Sequence, residues 1–486
     1  IIYAVAIGGE LYLQNRLPDS TLTFRDALAV GSFGQFRKSL GVSGGTAIRF
    51  KINAQFDRAQ NNFPYQLTPD SPEKELNNAA LQQRATQQSI YWSPAQGHTF
   101  EAHLWQQWTQ REIPPTTVQT RSAAFQKDRT LRQQLSWKAV GPRAIWNTRL
   151  AYIEEDILYA DPTILLEAPS DFRSWILHSE RSSALSRRGR MSTKLQLQHT
   201  NAVANGYRRR RSQQQARLEQ AFAYDLINRF QLKIAGQLQL TEELPTAYGG
   251  LLSLGENKSN WKWEALLQRQ FRVPSLNDLF WVPGGNPDLQ PELSWSQQLV
   301  LQKRWPESRT QLQLDIFNRQ VDNWIQWAPR DGQIFWSAQN ITKVWSRGLV
   351  AGMTQAWRWG KLTSNIRMNY QWVKSTYQVA VVTPSLEKGE QLWYTPEHQI
   401  NTILNISVGP WSTRFGYRYV GATSGVNDDL ASYHLGNLQV NWRADDDSGA
   451  TIFCRIDNLW DTNYRVIERR PMPGRQWTTG YQISFQ

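Results

Sequence analysis

Few of the residue types that ordinarily do chemistry stand together in this sequence. Arg208-Arg209-Arg210-Arg211, with Arg187, Arg188 and Arg190 nearby, offers guanidiniums to phosphates. No aromatic residues interleave with them at base-stacking intervals, so a solvated loop is the simpler reading and nucleic acid is not an expected partner. The six histidines His98, His103, His178, His199, His398 and His434 are scattered. His98 and His103, five apart, fall on opposite faces of a strand and make no zinc pair. Asp428-Asp429 and Asp445-Asp446-Asp447 lack the position-specific oxygens of a calcium loop and read as polar turns. Glu154-Glu155-Asp156 would point to alternate sides of a strand, whereas hydrolytic carboxylates need a defined separation. There is no nucleophile elbow and no phosphate-cradling loop. The single Cys454 rules out an internal disulfide or a cysteine zinc cluster. Neither an enzyme nor a bound cofactor or metal is expected.

What is left is rings and cations. The chain holds 23 Trp against 4 Met, and Lys plus Arg exceed Asp plus Glu by 54 to 41. A net charge of +13 fits nucleic acid, an anionic membrane surface or an acidic solute, and does not choose among them. Trp281, Trp324, Trp327, Trp336 and Trp393 fall in inferred loop regions, where they could stack on a ring-containing ligand or form part of an interfacial belt. Arg414, Arg418 and Arg455 share a strand parity with polar neighbours such as Gln399 and are expected on a wet face.

The elements that must position these groups are strands. From Phe230 to Thr241, apolar and polar residues alternate for twelve positions. The grammar returns at Ile400–Val408, after Gly409-Pro410 at Trp411–Tyr419, again at Leu438–Trp442, and finally at Trp477, Thr479, Tyr481, Ile483 and Phe485. Sandwich strands run to about five or six residues, whereas a tilted membrane-crossing strand needs about nine to eleven. These are the long kind, and Trp411, Trp442 and Trp477 stand near their ends, at headgroup level. No apolar run approaches the roughly 18 residues a membrane helix needs.

Ten short breaks recur at Ser43-Gly45, Ser93-Gly97, Gly141-Arg143, Arg187-Arg190, Leu226-Arg229, Glu256-Asn260, Pro306-Ser308, Trp357-Lys361, Gly409-Pro410 and Ala444-Gly449. Ten short turns separate eleven hairpins, which predicts an all-β fold: a transmembrane antiparallel β-barrel of about 22 strands, with short periplasmic turns and long extracellular loops. Long loops are expected around Gln60-Arg84, Ile157-Ile176, Phe271-Glu292, Thr376-Trp393 and Asn458-Arg475, and binding should be sought there. Cys454 shares the parity of Ile452 and Ile456 and is expected on the lipid-facing wall.

Two segments carry a resemblance. Phe271-Arg272-Val273-Pro274-Ser275-Leu276-Asn277-Asp278-Leu279-Phe280, with Gly285-Asn286-Pro287-Asp288-Leu289-Gln290-Pro291-Glu292, resembles the signature of TonB-dependent outer-membrane receptors. Asn458-Leu459-Trp460-Asp461-Thr462-Asn463-Tyr464, then Pro473-Gly474-Arg475 and the last strand to Phe485, is similar to the same family's C-terminal box. Asn62-Phe63-Pro64-Tyr65 and Arg111-Glu112-Ile113-Pro114 look like loop motifs of its cobalamin-receptor-like, Bacteroidetes-type branch.

The resemblance implies a 22-stranded barrel in the bacterial outer membrane, normally filled by an N-terminal plug. Ala6-Ile7-Gly8-Gly9-Glu10 looks like the last strand of such a plug, so residues 1–20 are expected to be a plug remnant and connector, and 21–486 the barrel. The implied function is uptake of a scarce, bulky solute such as a siderophore, a cobalamin-like molecule or an oligomeric nutrient. Implied partners are outer-membrane lipid and lipopolysaccharide, a TonB-type energy-transducing protein reached through the missing N-terminal region, and a surface lipoprotein or larger complex. The alternative is a structural barrel that scaffolds an outer-membrane assembly.

Overall fold

The computed structural model describes residues 17–67, 70–226, 229–257, 260–329, 335–380, 387–444 and 449–485. One antiparallel sheet of 22 strands runs through them, each strand hydrogen-bonded to the next along the chain. The first strand, Thr23–Gly31, pairs with Gln35–Gly44 on one side and with the last strand, Gln476–Phe485, on the other, so the sheet closes on itself. Closure leaves no unpaired edge, which a sheet surrounded by hydrocarbon could not tolerate. Helix is limited, among the described residues, to the 3₁₀ turn Pro162–Ile164 and the five-residue helix Leu276–Phe280. The expected plug strand Ala6–Glu10 and the acidic run Asp445–Asp447 lie outside the described residues.

The burial pattern is that of a soluble protein turned inside out. Along Phe230–Thr241, Ile234 and Leu240 are 49% and 50% exposed, while the intervening Gln237 and Gln239 are 5% and 1% exposed. Gln239 accepts from the Arg217 guanidinium at 2.8 and 3.0 Å and donates to Thr241 at 3.2 Å. A polar residue can be buried at that depth only when its hydrogen bonds are made, as here. The apolar face therefore looks outward to lipid, and the polar face lines the lumen. Trp92, Trp146, Trp305, Trp359 and Trp411 point outward near the short-turn ends of their strands; Trp108, Trp295 and Trp477 do so near the opposite ends. Two rings of amphipathic side chains thus bracket the apolar belt. Cys454 is exposed on the same outward face.

All ten expected short turns fall between paired strands. Even at Leu226-Arg229, the weakest of the ten in composition, the Leu226 N–H reaches the Phe230 carbonyl at 2.8 Å. At Gly409-Pro410, Gly409 takes φ +54°, a left-handed conformation that costs glycine nothing. One expected loop is corrected. Ile157-Ile176 is not a loop but the tip of a hairpin, Ala144–Asp161 with Leu166–Ala184, paired down to Asp161 and Leu166. The chain reverses in four residues, Pro162 to Leu165, where the Asp161 carboxylate accepts from the Thr163 N–H and Leu165 adopts φ 54°. The backbone ladder holds this tip as strand, and ion pairs flank it: Arg173 reaches Asp171 at 2.9 Å and Glu154 at 3.7 Å, and Arg132 reaches Glu155 at 3.0 Å. Polar composition marks strands that extend past the bilayer as readily as it marks loops.

Placing a guanidinium on the outward face at mid-belt, Ile234→Arg, should destabilise the barrel by about 2–4 kcal/mol. Asn369→Arg, on the lumen side, should cost less than about 1 kcal/mol. Urea titrations of refolding into lipid vesicles, read by the heat-dependent gel shift of the folded barrel, would show whether the two substitutions separate.

Candidate functional site

The outer mouth is built by loops, one of which runs from Val273 to Pro291. Phe271 is buried and Pro274 fully so. After the proline, Ser275 caps the helix Leu276–Phe280: its side chain accepts from the Asp278 N–H, and the Asp278 carboxylate accepts from the Ser275 N–H at 2.9 Å. Such a reciprocal box satisfies two helix-start donors at once. Asp278 also accepts from the Trp327 indole at 2.9 Å. Arg272 lies between Asp278 at 3.5 Å and Glu292 at 3.4 Å, and Glu292 accepts from the Ile325 N–H at 2.9 Å. Leu279 and Leu289 pack on Ile325 and Ala338, while Phe280 packs beside Ala202, Ala204 and Tyr207 and carries the Arg211 guanidinium 3.8 Å from its ring centre. The residues this loop touches face the lumen, so it covers the mouth from within.

Of the five tryptophans expected in loops, only Trp281 and Trp393 lie in them; Trp324 and Trp327 stand in the outer end of the strand Thr310–Pro329 and Trp336 opens Trp336–Trp359, because the paired strands extend past the bilayer, and Trp281, Trp327 and Trp336 meet at this loop. The Trp327 ring and the Trp336 backbone carbonyl both lie against Gly284, and Trp281 stands edge-on to Tyr207 at 6.3 Å. Gly206 lies under Trp281, where a Cβ would come within 2.6 Å of the ring. Trp281 and Trp336 are exposed; Trp327 is held inside by Asp278. Burial pushes the Tyr207 hydroxyl up to about 12, so it stays protonated as the donor to Asn277. Trp324 stands apart at a slip in strand register after Val321, and Trp393 sits half-buried in another loop.

A second loop cluster is organised by residues 458 to 475. Asn458, buried with φ 52°, accepts from the Thr462 N–H at 2.9 Å and donates to the Thr462 carbonyl at 2.9 Å. The Leu459 N–H reaches the Gly436 carbonyl at 2.7 Å, and the Leu459 carbonyl accepts from Arg475 at 3.0 Å. Gly474 leaves room for the Asp461 carboxylate, which accepts from the Arg475 N–H at 2.6 Å; Tyr464 stacks on Tyr433 at 4.8 Å. From this base the loop reaches its neighbours: Asn463 and Arg465 donate to the Gln66 and Leu67 carbonyls, and the Thr117 N–H donates to the Arg469 carbonyl. Glu468 accepts from the Asn427 N–H at 2.9 Å, the Asn427 side chain at 2.8 Å and the Tyr394 hydroxyl at 3.3 Å. Burial works to raise the Glu468 carboxyl, but these donors outweigh it and hold it below the usual glutamate range.

The two segments that carry the family resemblance thus do structural work. Arg272, Pro274, Asn286, Pro287, Pro291 and Glu292 shape one loop; Asn458, Leu459, Tyr464, Gly474 and Arg475 shape the other; Phe485 points outward beside Phe24 at the periplasmic end. The ties across loops through Tyr207 and Glu468 have no motif of their own, whereas the Ser275-to-Asp278 spacing is a legible capping signal. On the lumen wall, Arg414, Arg418 and Arg455 line one recess with Asn401, Asn437 and Gln439. Arg455 is bound to Asp457 at 2.7 Å; no ion pair is made by Arg414 or Arg418 among the described residues. His103 points inward to Glu101 and Ser89 while His98 stacks outside on Trp137. Arg208 to Arg210 are exposed.

Removing the shared acceptor, Asp278→Ala, should loosen the loop by about 1–3 kcal/mol, because the Ser275 N–H and the Trp327 indole lose their partner together. Limited proteolysis should then cut between Val273 and Pro291 while the folded barrel's gel shift is unchanged. Because the Glu468 carboxyl is depressed in the folded state, its contribution is full above the ordinary glutamate pKa and is lost as pH falls through the depressed value. Amide exchange at Asn427 and Asp428 should accelerate over that acidic window and be fast at every pH in Glu468→Ala.

Comparison with known proteins agrees with this geometry. Residues 258–459 match the family model described as TonB dependent receptor-like, beta-barrel. A vitamin B12 transporter, BtuB of Vibrio vulnificus, is 22% identical over 219 residues, 40% of this chain and 30% of the relative; the aligned part is thus under a third of that protein's length. The fold is similar to the FrpB iron transporter from Neisseria meningitidis, with a TM-score of 0.78 and 10% identity over 96% of this chain and 81% of that one. It is also similar to the ferric yersiniabactin uptake receptor FyuA from Yersinia pestis, with a TM-score of 0.75 and 15% identity over 97% and 81% of the two chains. Residues 258–459 thus match the barrel of TonB-dependent receptors, and the closed 22-stranded wall with its outward apolar belt has the fold of such receptors, a β-barrel of the bacterial outer membrane.

Proposed function

We propose that this barrel takes up a scarce, bulky solute that presents negative charge to the lumen. The observation that carries the reading is the pair Arg414 and Arg418, which face the lumen from one strand and one recess without an ion pair among the described residues, in contrast to lumen cations such as Lys194, matched by Glu219 at 2.9 Å, and Lys233, matched by Glu264 at 2.8 Å. A matched pair is neutral and self-sufficient; a free guanidinium holds its donors open to a passing anion. Trp281 and Trp336 at the mouth offer ring faces for first capture. Similar proteins are a vitamin B12 transporter and a ferric yersiniabactin uptake receptor, which supports uptake of a solute without naming it.

On this reading residues 1–20 are the end of a plug domain, and a TonB-type protein acting through the N-terminal region supplies the energy. Lipopolysaccharide phosphates would meet the exposed Arg208–Arg210 and the outward-facing Lys127 and Arg129. A surface lipoprotein would find its footing on the loops. The wall itself moves solute without covalent change.

Arg414→Gln with Arg418→Gln should weaken uptake of a triply anionic ferric catecholate by more than about tenfold, as expected when charge-assisted hydrogen bonds worth about 1.5–3 kcal/mol each are lost. Uptake of an uncharged ferric hydroxamate should change less than about threefold. Equal loss for both would refute the electrostatic role, and transport of neither by the unmodified receptor would favour a scaffold.

A further inference from the structure

One feature of the outer wall does not belong to any solute path. Strand parity places Phe24, Asp26, Leu28 and Val30 on the outward face, opposite Phe485, Ile483, Tyr481 and Thr479 of the last strand and opposite Val42, Leu40, Lys38 and Phe36 of the next. Phe24, Val30, Leu40 and Phe485 are exposed there. Asp26 and Lys38 are thus an ion pair on the lipid side. Lys38 bonds to Asp26 and, at 3.4 Å, to the Tyr481 hydroxyl, and the two charged side chains are still 34% and 31% exposed. Their depth follows from Tyr481, which stands four residues from Trp477 at one end of the strand and four from Phe485 at the other. The pair lies at mid-belt, where a lipid-facing Lys costs about 2–4 kcal/mol and where intramembrane charges are rare. The second Asp26 oxygen has no hydrogen-bond donor among the described residues.

The wall is also lowest here. The strands Thr451–Asp457, Gln476–Phe485, Thr23–Gly31 and Gln35–Gly44 have 7, 10, 9 and 10 residues, against 19 for Leu166–Ala184 and 24 for Trp336–Trp359. At about 3.3 Å per residue and a tilt near 40°, seven to ten residues rise only about 18–25 Å, at or below the apolar band of about 25 Å. A short span relieves that mismatch by thinning the bilayer or by associating with another span.

We propose that this face, centred on Asp26, Lys38 and Tyr481, is the interface between two copies of the chain within the membrane. An acid and a base side by side on one surface are self-complementary under a two-fold axis along the membrane normal: Lys38 of each copy meets Asp26 of the other, as an isologous interface requires. Four charges then close into a ring, the open Asp26 oxygen gains a donor, and both low walls are covered by protein in place of lipid. Charge complementarity selects a second copy over a lipid, whose acyl chains offer nothing to an ammonium or a carboxylate.

The test is cysteine crosslinking in native outer membranes, in a Cys454→Ser background, with Leu28→Cys or Leu40→Cys as reporter. Oxidation should give a band at twice the chain's mass. Asp26→Lys and Lys38→Asp, each alone, should lower its yield at least fivefold through like-charge repulsion. The double exchange, Asp26→Lys with Lys38→Asp, should restore it, and co-expression of the two single variants under different tags should give mixed dimers. The heat-dependent gel shift identifies folded barrel, so the double exchange carries the test if a single variant fails to fold. Absence of the band in the unsubstituted pair, its survival in both folded single variants, no recovery in the double exchange, or a crosslink to a different protein would each overturn the proposal.

Discussion

Every backbone N–H and C=O that enters hydrocarbon must find its partner inside the protein, and the rest of this molecule follows from that rule. A chain without a long apolar helix can meet it only by closing a sheet, and the closure of Thr23–Gly31 onto Gln476–Phe485 does so. Once the ring is shut, the pleat fixes which side chains meet lipid and which meet the lumen. Ile234 and Gln237 are three residues apart and live in different solvents.

The same rule sets where irregular backbone is permitted. Loops are confined to the two ends, and those at the outer end fold back over the mouth with their own hydrogen-bonded cores. The Arg272–Asp278–Glu292 network and the Asn458 turn are such cores, so the strongest family marks in this sequence build the frame of the mouth. On the proposed function, the solute would meet less distinctive residues: exposed rings at the mouth and guanidiniums on the wall. A solute can be exchanged by altering those without disturbing the frame that holds them.

The wall is not uniform around its circumference. Strands that rise past the bilayer, such as Ala144–Asp161, are braced by ion pairs in water, where each pair contributes little but costs little. At the closure the strands are shortest, and there an ion pair faces lipid, where the balance is different. The same chemistry, a carboxylate beside a cation, costs little at the tip of a hairpin in water and more on a wall facing lipid, because the surrounding dielectric differs.

Sequence alone determined the class of fold, the strand number and the sidedness of Arg414, Arg418, Arg455 and Cys454, because alternation and turn residues are local properties and a period of two leaves no freedom once one face is known. It determined the two family segments for the same reason, their spacing being contiguous. Tertiary structure decided the rest. Whether Ile157–Ile176 was loop or strand depended on backbone pairing with Ala144–Asp161, flanked by ion pairs between residues about twenty positions apart, those of Arg132 and Arg173 among them. Which tryptophans meet the Val273–Pro291 loop and how Glu468 ties three loops depended on residues that meet only when the ring closes. Contacts of that range leave no periodic trace in a chain, since the barrel's curvature, and not the order of residues, brings them within hydrogen-bonding distance.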